Sequence, residues 1–144
     1  MLFGSCAAIS GDAAAARPAH RAMLSATIGP ETPGPLQQTF PGFEKFFHSP
    51  AGRAALARSG MAQDVTIEQV TRRDGLLLLK IRDRSRQKGT PVSETYWRAI
   101  TGLRGRITAL SVLPAAGSTM GDAQQIRLLR DFDAAIRAAN PGRL

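Results

Sequence analysis

The sequence predicts an α+β fold, in which an antiparallel β-sheet of about five or six strands is covered by α-helices. Three observations predict this class. Residues 64–113 consist of apolar segments separated by turn residues, which is typical of a β-meander. Residues 122–139 carry apolar side chains at helical spacing. Residues 42–59 follow or contain prolines at positions that open helices, which favours short helices that complete the cover.

The chain has 144 residues and is predicted to form one domain, residues 1–144, with a core that needs no metal or disulfide. Near its start, residues 2–9 and 22–28 favour short strands, and residues 1–20 are expected to be loosely ordered. Residues 29–35 contain three prolines and two glycines, which predicts an irregular connector.

Two short helices are predicted next, over residues 42–48 and 50–59. Pro41 and Pro50 favour the starts of these helices. Proline lacks a backbone N–H, and the N–H groups of the first helical turn have no partner within the helix in any case. Ser49 is the predicted N-cap of the second helix. Three aromatic side chains crowd one side of the first helix and are expected to anchor it in the core: Phe43, Phe46 and Phe47.

The sheet region begins with an alternating segment and a hairpin. Val65 and Ile67 alternate with polar residues, and Val70 falls out of phase, which indicates a bulge or a twist. Asp74–Gly75 predicts a tight turn into a second strand over 76–84. That strand begins with four leucines, and a run that is apolar on both faces is typical of a strand covered on both sides.

A third strand is predicted over residues 94–103, with Trp97 and Ala99 on one face. Arg104–Gly105 predicts a tight turn into a fourth strand over 107–113, which the following proline ends. The side chains expected on the opposite face of the third strand are Tyr96, Arg98 and Ile100.

The clearest predicted helix covers residues 122–139. Asp122 complements the positive end of the helix dipole, and the Asn-Pro-Gly sequence at 140–142 ends the helix. The predicted apolar stripe consists of Ile126, Leu129, Phe132, Ile136 and Ala139. The residues predicted to lie off this stripe are Arg127, Arg130, Asp131 and Arg137.

The chain carries a net charge of +8, and 16 of its 19 basic residues are arginine. Arginine suits phosphate and carboxylate partners, so we examined where the basic residues gather. Alternation places Lys80, Arg82 and Arg84 on one face of the second strand. Arg98, Arg104 and Arg106 are expected to lie beside the basic residues of the second strand and the loop after it. The candidate anion-binding strip therefore consists of Lys80, Arg82, Arg84, Arg86, Lys88, Arg98, Arg104 and Arg106. The favoured alternative is a solvated sheet face that only keeps the protein soluble.

No residue set has the spacing of a metal site or of a catalytic centre. The possible nitrogen and sulfur ligands, Cys6, His20 and His48, are far apart, and His48 is interpreted as a capping or surface residue. Asp83 lies among arginines and is interpreted as a surface ion partner. The segment at 117–122 precedes a helix and is interpreted as a capped linker. We therefore predict no catalytic, cofactor-binding or metal-binding residue.

No apolar run approaches the roughly 20 residues that span a bilayer, so no transmembrane segment is predicted. The N-terminus has a short apolar segment without a positively charged region before it, so no signal peptide is predicted. The chain as written therefore predicts a cytoplasmic protein.

The segments SPAGRAALARSG, DGLLLLKIRDRS and YWRAITGLRGRITALSVLP, with a final helix ending in AANP, resemble a group of alphaproteobacterial proteins that has no agreed activity. The order of elements is also similar to the PsbP-like α/β sandwich. The resemblance implies members that are longer at the N-terminus and exported, with a second cysteine before the LFGSC stretch. It therefore implies a true start upstream of Met1 and a location in the cell envelope.

The leading functional hypothesis is a non-catalytic binding or structural module of the cell envelope. The alternative is a basic protein that binds nucleic acid through the arginine-rich strip, and an enzyme is the third. The strip suits an acidic protein, an anionic lipid surface or a nucleic acid as its partner.

Overall fold

The structure, a computed structural model, describes residues 22–31, 34–86 and 92–141. These residues confirm the predicted α+β class, with one antiparallel sheet in the order β1-β5-β4-β3-β2. The strands are β1 (Ala22–Glu31), β2 (Val65–Arg73), β3 (Leu76–Asp83), β4 (Thr95–Leu103) and β5 (Arg106–Pro114). The α-helices are α1 (Phe40–His48), α2 (Pro50–Leu56) and α3 (Asp122–Ala139). The predicted strand at 2–9 and the segment 1–20 lie outside the described residues.

Two tight turns set the register of the meander. Asp74 and Gly75 both have positive φ, at 53° and 77°, and so do Arg104 and Gly105, at 52° and 75°. Two successive positive φ angles define a type I′ turn, whose twist matches that of the strands it joins. Both predicted turns are therefore confirmed, and each fixes its hairpin at a two-residue loop.

The four leucines of β3 divide between two cores, one on each face of the sheet. Leu76 and Leu78 pack with the side of the sheet that α3 covers, whereas Leu77 and Leu79 pack with Phe40 and other residues of the opposite side. All four leucines are at most 2% exposed. The prediction of a strand covered on both sides is confirmed.

Helix α3 lies over β4 and β5 and packs its apolar stripe against them. Leu129 and Phe132 are buried, and Ile126 and Ile136 pack beside them, as predicted. The prediction is wrong for Ala139, which is exposed because it lies in the last turn, beyond the covered part of the sheet.

Polar contacts fix both ends of α3 to the sheet. At its start, the carboxylate of Asp122 accepts hydrogen bonds from Trp97 Nε1 at 3.1 Å and from Lys80 Nζ at 2.9 Å. Near its end, Arg137 Nη2 donates to Thr101 Oγ1 at 2.7 Å and to the carbonyl oxygen of Gly102 at 2.8 Å. Arg137 was predicted to lie off the apolar stripe. It nevertheless faces the sheet, where it makes polar contacts with β4.

The short helices cover the other face of the sheet from the β2 side. Helix α1 begins at Phe40 rather than 42, and the side chain of Phe40 is 1% exposed. Phe43 and Phe47 stack with ring centroids 6.2 Å apart and join the core, as predicted. The prediction is wrong for Phe46, which is 45% exposed because it lies one helix position away from that face. Helix α2 ends at Leu56 rather than at 59.

Both edge strands are irregular. In β2 the register shifts between Ile67 and Gln69, which confirms the predicted bulge. In β1 the register shifts between Ile28 and Glu31, and the strand continues through Pro30. The expectation of an irregular connector from residue 29 onwards is therefore wrong for residues 29–31, because an edge strand tolerates a proline that faces away from its neighbour.

Gly52→Ala is expected to destabilise the contact between α1 and α2. A Cβ at this position would lie 1.9 Å from the carbonyl oxygen of Phe46, and relieving that overlap would separate the two helices. We expect a loss of about 2–3 kcal/mol in the free energy of unfolding, measured by urea denaturation.

Gly42→Ala is the matched control, because Gly42 lies in α1 and has nothing within 4 Å of its added Cβ. It is expected to stabilise the protein by up to about 1 kcal/mol, through the lower conformational entropy of the unfolded chain. Equal losses from the two substitutions would contradict the proposed close packing.

Candidate anion-binding site

The eight residues of the predicted strip do not form one surface. Lys80 pairs with Trp97 across β3 and β4, so both lie on the face that α3 covers. Arg98 pairs with Leu79 and therefore lies on the opposite face. The prediction that Arg98 lies beside Lys80 is wrong, because successive residues of a strand point to opposite faces.

The two arginines of the β4–β5 hairpin lie at one end of the sheet. Arg104 is in the turn, and Arg106 pairs with Leu103. Lys80 pairs with Trp97, which precedes Leu103 by six residues in β4 and therefore lies about 20 Å from it. The expectation that these arginines adjoin the earlier members of the strip is therefore also wrong. Arg84 and Arg86 are exposed beyond the end of β3, and Lys88 lies outside the described residues.

Lys80 and Arg82 do share a face, as alternation predicts, but acidic side chains compensate their charges. Lys80 Nζ lies 2.9 Å from Asp122, and Arg82 Nε lies 2.7 Å from Glu68. Arg106 lies 3.7 Å from Glu31, a looser and more exposed pair. These contacts reduce the positive potential that the strip was expected to present.

Arg98 has a different environment from the other members. It is partly buried, and its Nη1 donates to Ser111 Oγ at 3.1 Å. Its Nε is buried and has no hydrogen-bond partner, and among the residues that the structure describes no carboxylate pairs with it. Burial lowers the pKa of Arg98, an effect that the nearby Tyr96 opposes. The guanidinium remains charged at neutral pH, because arginine keeps its proton in proteins.

Strand pairing aligns Arg98 with two serines on the same face. Arg98 is opposite Ser111 in the β4–β5 pair, and Ser111 is opposite Ser25 in the β5–β1 pair. Directly opposite residues of antiparallel strands share a face and have Cβ atoms about 5 Å apart. Arg98, Ser111 and Ser25 therefore form a polar row across three strands, which we call the Arg98 row.

Mainly apolar side chains flank the Arg98 row along the strands. Positions two residues away on the same face lie about 7 Å from the row. The residues on one side are Met23, Leu113 and Tyr96, and those on the other are Thr27, Ala109 and Ile100. Met23 is 43% exposed at the edge strand, whereas Tyr96 is 6% exposed next to the central strands. The row therefore runs from the core of this face to its solvent-exposed edge.

The phenol of Tyr96 lies within electrostatic reach of two guanidinium groups. Burial raises the pKa of Tyr96, while the charges of Arg98 and Arg58 lower it and that of Asp83 raises it further. The net effect is a raised pKa, so the phenol keeps its proton at neutral pH. It can then donate a hydrogen bond beside Arg98.

Asp83 is buried, so its interpretation as a surface ion partner is wrong. The carboxylate is 1% exposed and accepts hydrogen bonds from the backbone N–H and Nε of Arg58, at 3.1 and 3.3 Å. The backbone N–H of Ser85 donates to its other oxygen at 2.9 Å. Alternation already indicated this outcome, because Asp83 is in phase with the buried Leu79 and Ile81. Its contacts join the end of β3 to the segment after α2.

Within the described parts of the chain no group of histidine, cysteine and acidic residues is placed to hold a metal ion. His48 is exposed at the end of α1, with Nδ1 2.7 Å from the carbonyl oxygen of Glu44, as its predicted capping or surface role requires. Cys6 and His20 lie outside the described residues. The backbone N–H of Gly121 donates to Gln124 Oε1 at 3.0 Å, which agrees with a capped start of α3.

No helix in the described residues is long and apolar enough to span a membrane.

Comparisons with models of protein families, with curated proteins and with solved structures found no match to this chain.

Asp83→Ala is expected to lower the free energy of unfolding by about 3 kcal/mol at pH 7, because it leaves buried N–H donors without an acceptor. Burial alone would raise the pKa of Asp83, but hydrogen bonds from Ser85 and Arg58 outweigh this effect and hold the pKa below 3.8. The stabilisation is therefore present above pH 3.8 and is lost as the pH falls through the lower folded-state pKa. Urea denaturation at pH 7 and in steps below pH 4 measures both effects.

Asp131→Ala, at an exposed position of α3, is the control and is expected to change stability by less than about 0.5 kcal/mol. A penalty for Asp83→Ala that stayed constant down to the most acidic pH would contradict the role given to the ionised carboxylate.

Proposed function

We propose that this protein is a non-catalytic binding module that holds a small anionic ligand at the Arg98 row. The observation that carries the proposal is the environment of Arg98. Its guanidinium is partly buried and has no carboxylate partner among the described residues, and its one hydrogen-bonded side chain is Ser111.

The energetics of a buried charge support this proposal. A charge removed from water is costly unless a counter-ion or several hydrogen bonds compensate it. Arg58 and Arg137 each pair with an aspartate, whereas Arg98 has no such partner among the described residues, a feature that it shares with Arg53. An anionic ligand would supply the missing counter-ion and would accept hydrogen bonds from the guanidinium.

The groups gathered at the Arg98 row suit binding rather than group transfer. The guanidinium is a donor and the Ser111 hydroxyl accepts from it, and among the described residues no general base is hydrogen-bonded to that hydroxyl. Tyr96 is held in its protonated form. These groups stabilise a negative charge, and none of them is activated as a nucleophile.

The alternative function, binding of nucleic acid along the predicted strip, has less support. Lys80 and Arg82 share a face but pair with acidic residues, and Arg98 lies on the opposite face. Arg84 and Arg86 are the exposed members that extend beyond β3. A location in the cell envelope remains a prediction from the resemblance.

Acetate is the simplest probe of the proposal. The measurement is an NMR titration of nitrogen-15-labelled protein with sodium acetate, in which sodium chloride keeps the ionic strength constant. The Nε–H resonance of Arg98 is expected to shift and to saturate at millimolar acetate. A millimolar Kd corresponds to about 4 kcal/mol, which two or three charge-assisted hydrogen bonds can supply. The resonance is assigned from its disappearance in Arg98→Lys.

Arg127→Met is the matched control, because Arg127 is exposed on α3, on the other side of the sheet. This variant is expected to bind acetate as the original protein does. Arg98→Met lacks the reporting resonance, so its binding is followed at the backbone N–H of Ser111, the cross-strand partner of Arg98, and this variant is expected to lose the saturable response. An Arg98 resonance that does not respond, while exposed arginines shift uniformly with salt, would reject the proposed function.

A further inference from the structure

We infer that the ligand of the Arg98 row is an aliphatic monocarboxylate, with its carboxylate at Arg98 and its chain directed over Met23 and Leu113. This inference rests on the proposed function and adds the chemical class of the ligand. It depends on the number of uncompensated charges at the row and on the side chains that flank it.

The charge balance favours a single negative charge. Arg98 is the one cation of the row, and the other cation near Tyr96, Arg58, is already paired with Asp83 at 3.3 Å. A second negative charge on the ligand would have no second unpaired cation in the row, and an uncompensated charge in a partly buried site is costly. A carboxylate balances the single positive charge of the row, whereas a doubly charged phosphate carries more negative charge than the row can balance.

The shape of the donor set also fits a carboxylate. A guanidinium presents parallel N–H groups that match the two oxygens of a carboxylate. Only Nη1 has a hydrogen-bonded side chain among the described residues, Ser111, so further N–H groups of the guanidinium are left for a carboxylate. The second hydroxyl, Ser25, lies beyond Ser111 on the edge strand, where it is partly exposed.

The flanking side chains suit an aliphatic chain. Met23 and Leu113 lie directly opposite each other, one position along the same face from the serines. Leu113 is partly buried against the core, and Met23 is 43% exposed. A methionine side chain is flexible and adapts to an apolar surface placed against it. A chain leaving the carboxylate in this direction would cover Met23 and reduce its exposure to water.

The test is a series of sodium carboxylates of increasing length: acetate, butyrate, hexanoate and octanoate, with binding followed at the Arg98 Nε–H resonance. A fully buried methylene strengthens binding about fourfold, and one that is half-covered about twofold. We expect about twofold per methylene, and therefore about 60-fold between acetate and octanoate. Octylammonium, with the same chain and the opposite charge, is expected to bind at least tenfold more weakly than octanoate.

Met23→Gln tests the direction of the chain without altering the anion contacts. The substitution keeps the length of an exposed side chain and makes it polar, so the gain per methylene is expected to fall while acetate binding stays within twofold. Met61→Gln is the matched control, because Met61 is also exposed, at 50%, and precedes β2 at the opposite edge of the sheet. It is expected to leave the whole series unchanged.

The outcomes separate this inference from the proposed function. Acetate binding at Arg98 with no increase along the series would overturn the inference and leave the proposed function standing. Tighter binding of inorganic phosphate than of octanoate would also overturn the inference, because it would assign the row to a more highly charged anion. Failure of every anion to perturb Arg98 would overturn both. A chain-length dependence that survives in Arg98→Met, followed there at the backbone N–H of Ser111, would reject the carboxylate contact.

Discussion

The burial of β3 on both faces is the constraint on which the rest of the structure depends. Four consecutive leucines cannot be shielded by one layer of helices, because alternate residues of a strand point to opposite sides. The chain meets this requirement with α3 over one face and with α1 and α2 over the other. The two helical layers are offset, since α3 contacts β4 and β5 whereas the short helices contact β2.

This offset determines where polar groups are placed. On the face of α1 and α2, the apolar core is formed by residues of β2, β3 and β4, and the polar row crosses from β4 to the edge strand β1. Arg98 lies at the boundary between these two regions. Its neighbours on the same strand, Tyr96 and Ile100, are buried, whereas Ser25 at the other end of the row is partly exposed. The proposed ligand site is a consequence of the way in which the two layers cover the sheet.

Local patterns predicted the turns, the central strands and the final helix, because each depends on residues close together in the chain. Asp74–Gly75 and Arg104–Gly105 specify their own geometry, and the leucine run shows its double burial directly. The Arg98 row was not predicted, because it requires the pairing of β1 with β5, which joins distant parts of the chain. The sequence held one indication of the row, which is that Ser111 lies between the apolar residues Ala109 and Leu113 on one face of β5. The prediction for Asp83 is wrong because its basic neighbours in the sequence favour a surface ion pair, whereas its position in the strand places it on the buried side.

The contact between Trp97 and Asp122 gives the protein an internal optical reporter. The chain has a single tryptophan, and its indole is 1% exposed beneath the first turn of α3. Its emission therefore originates at one defined junction between the sheet and the helix, where the indole N–H meets a carboxylate. Detachment of the helix would admit water to the ring and shift the emission to longer wavelength. Loosening of the opposite helical layer would leave that emission unchanged, so fluorescence can distinguish the opening of one side of the molecule from the opening of the other.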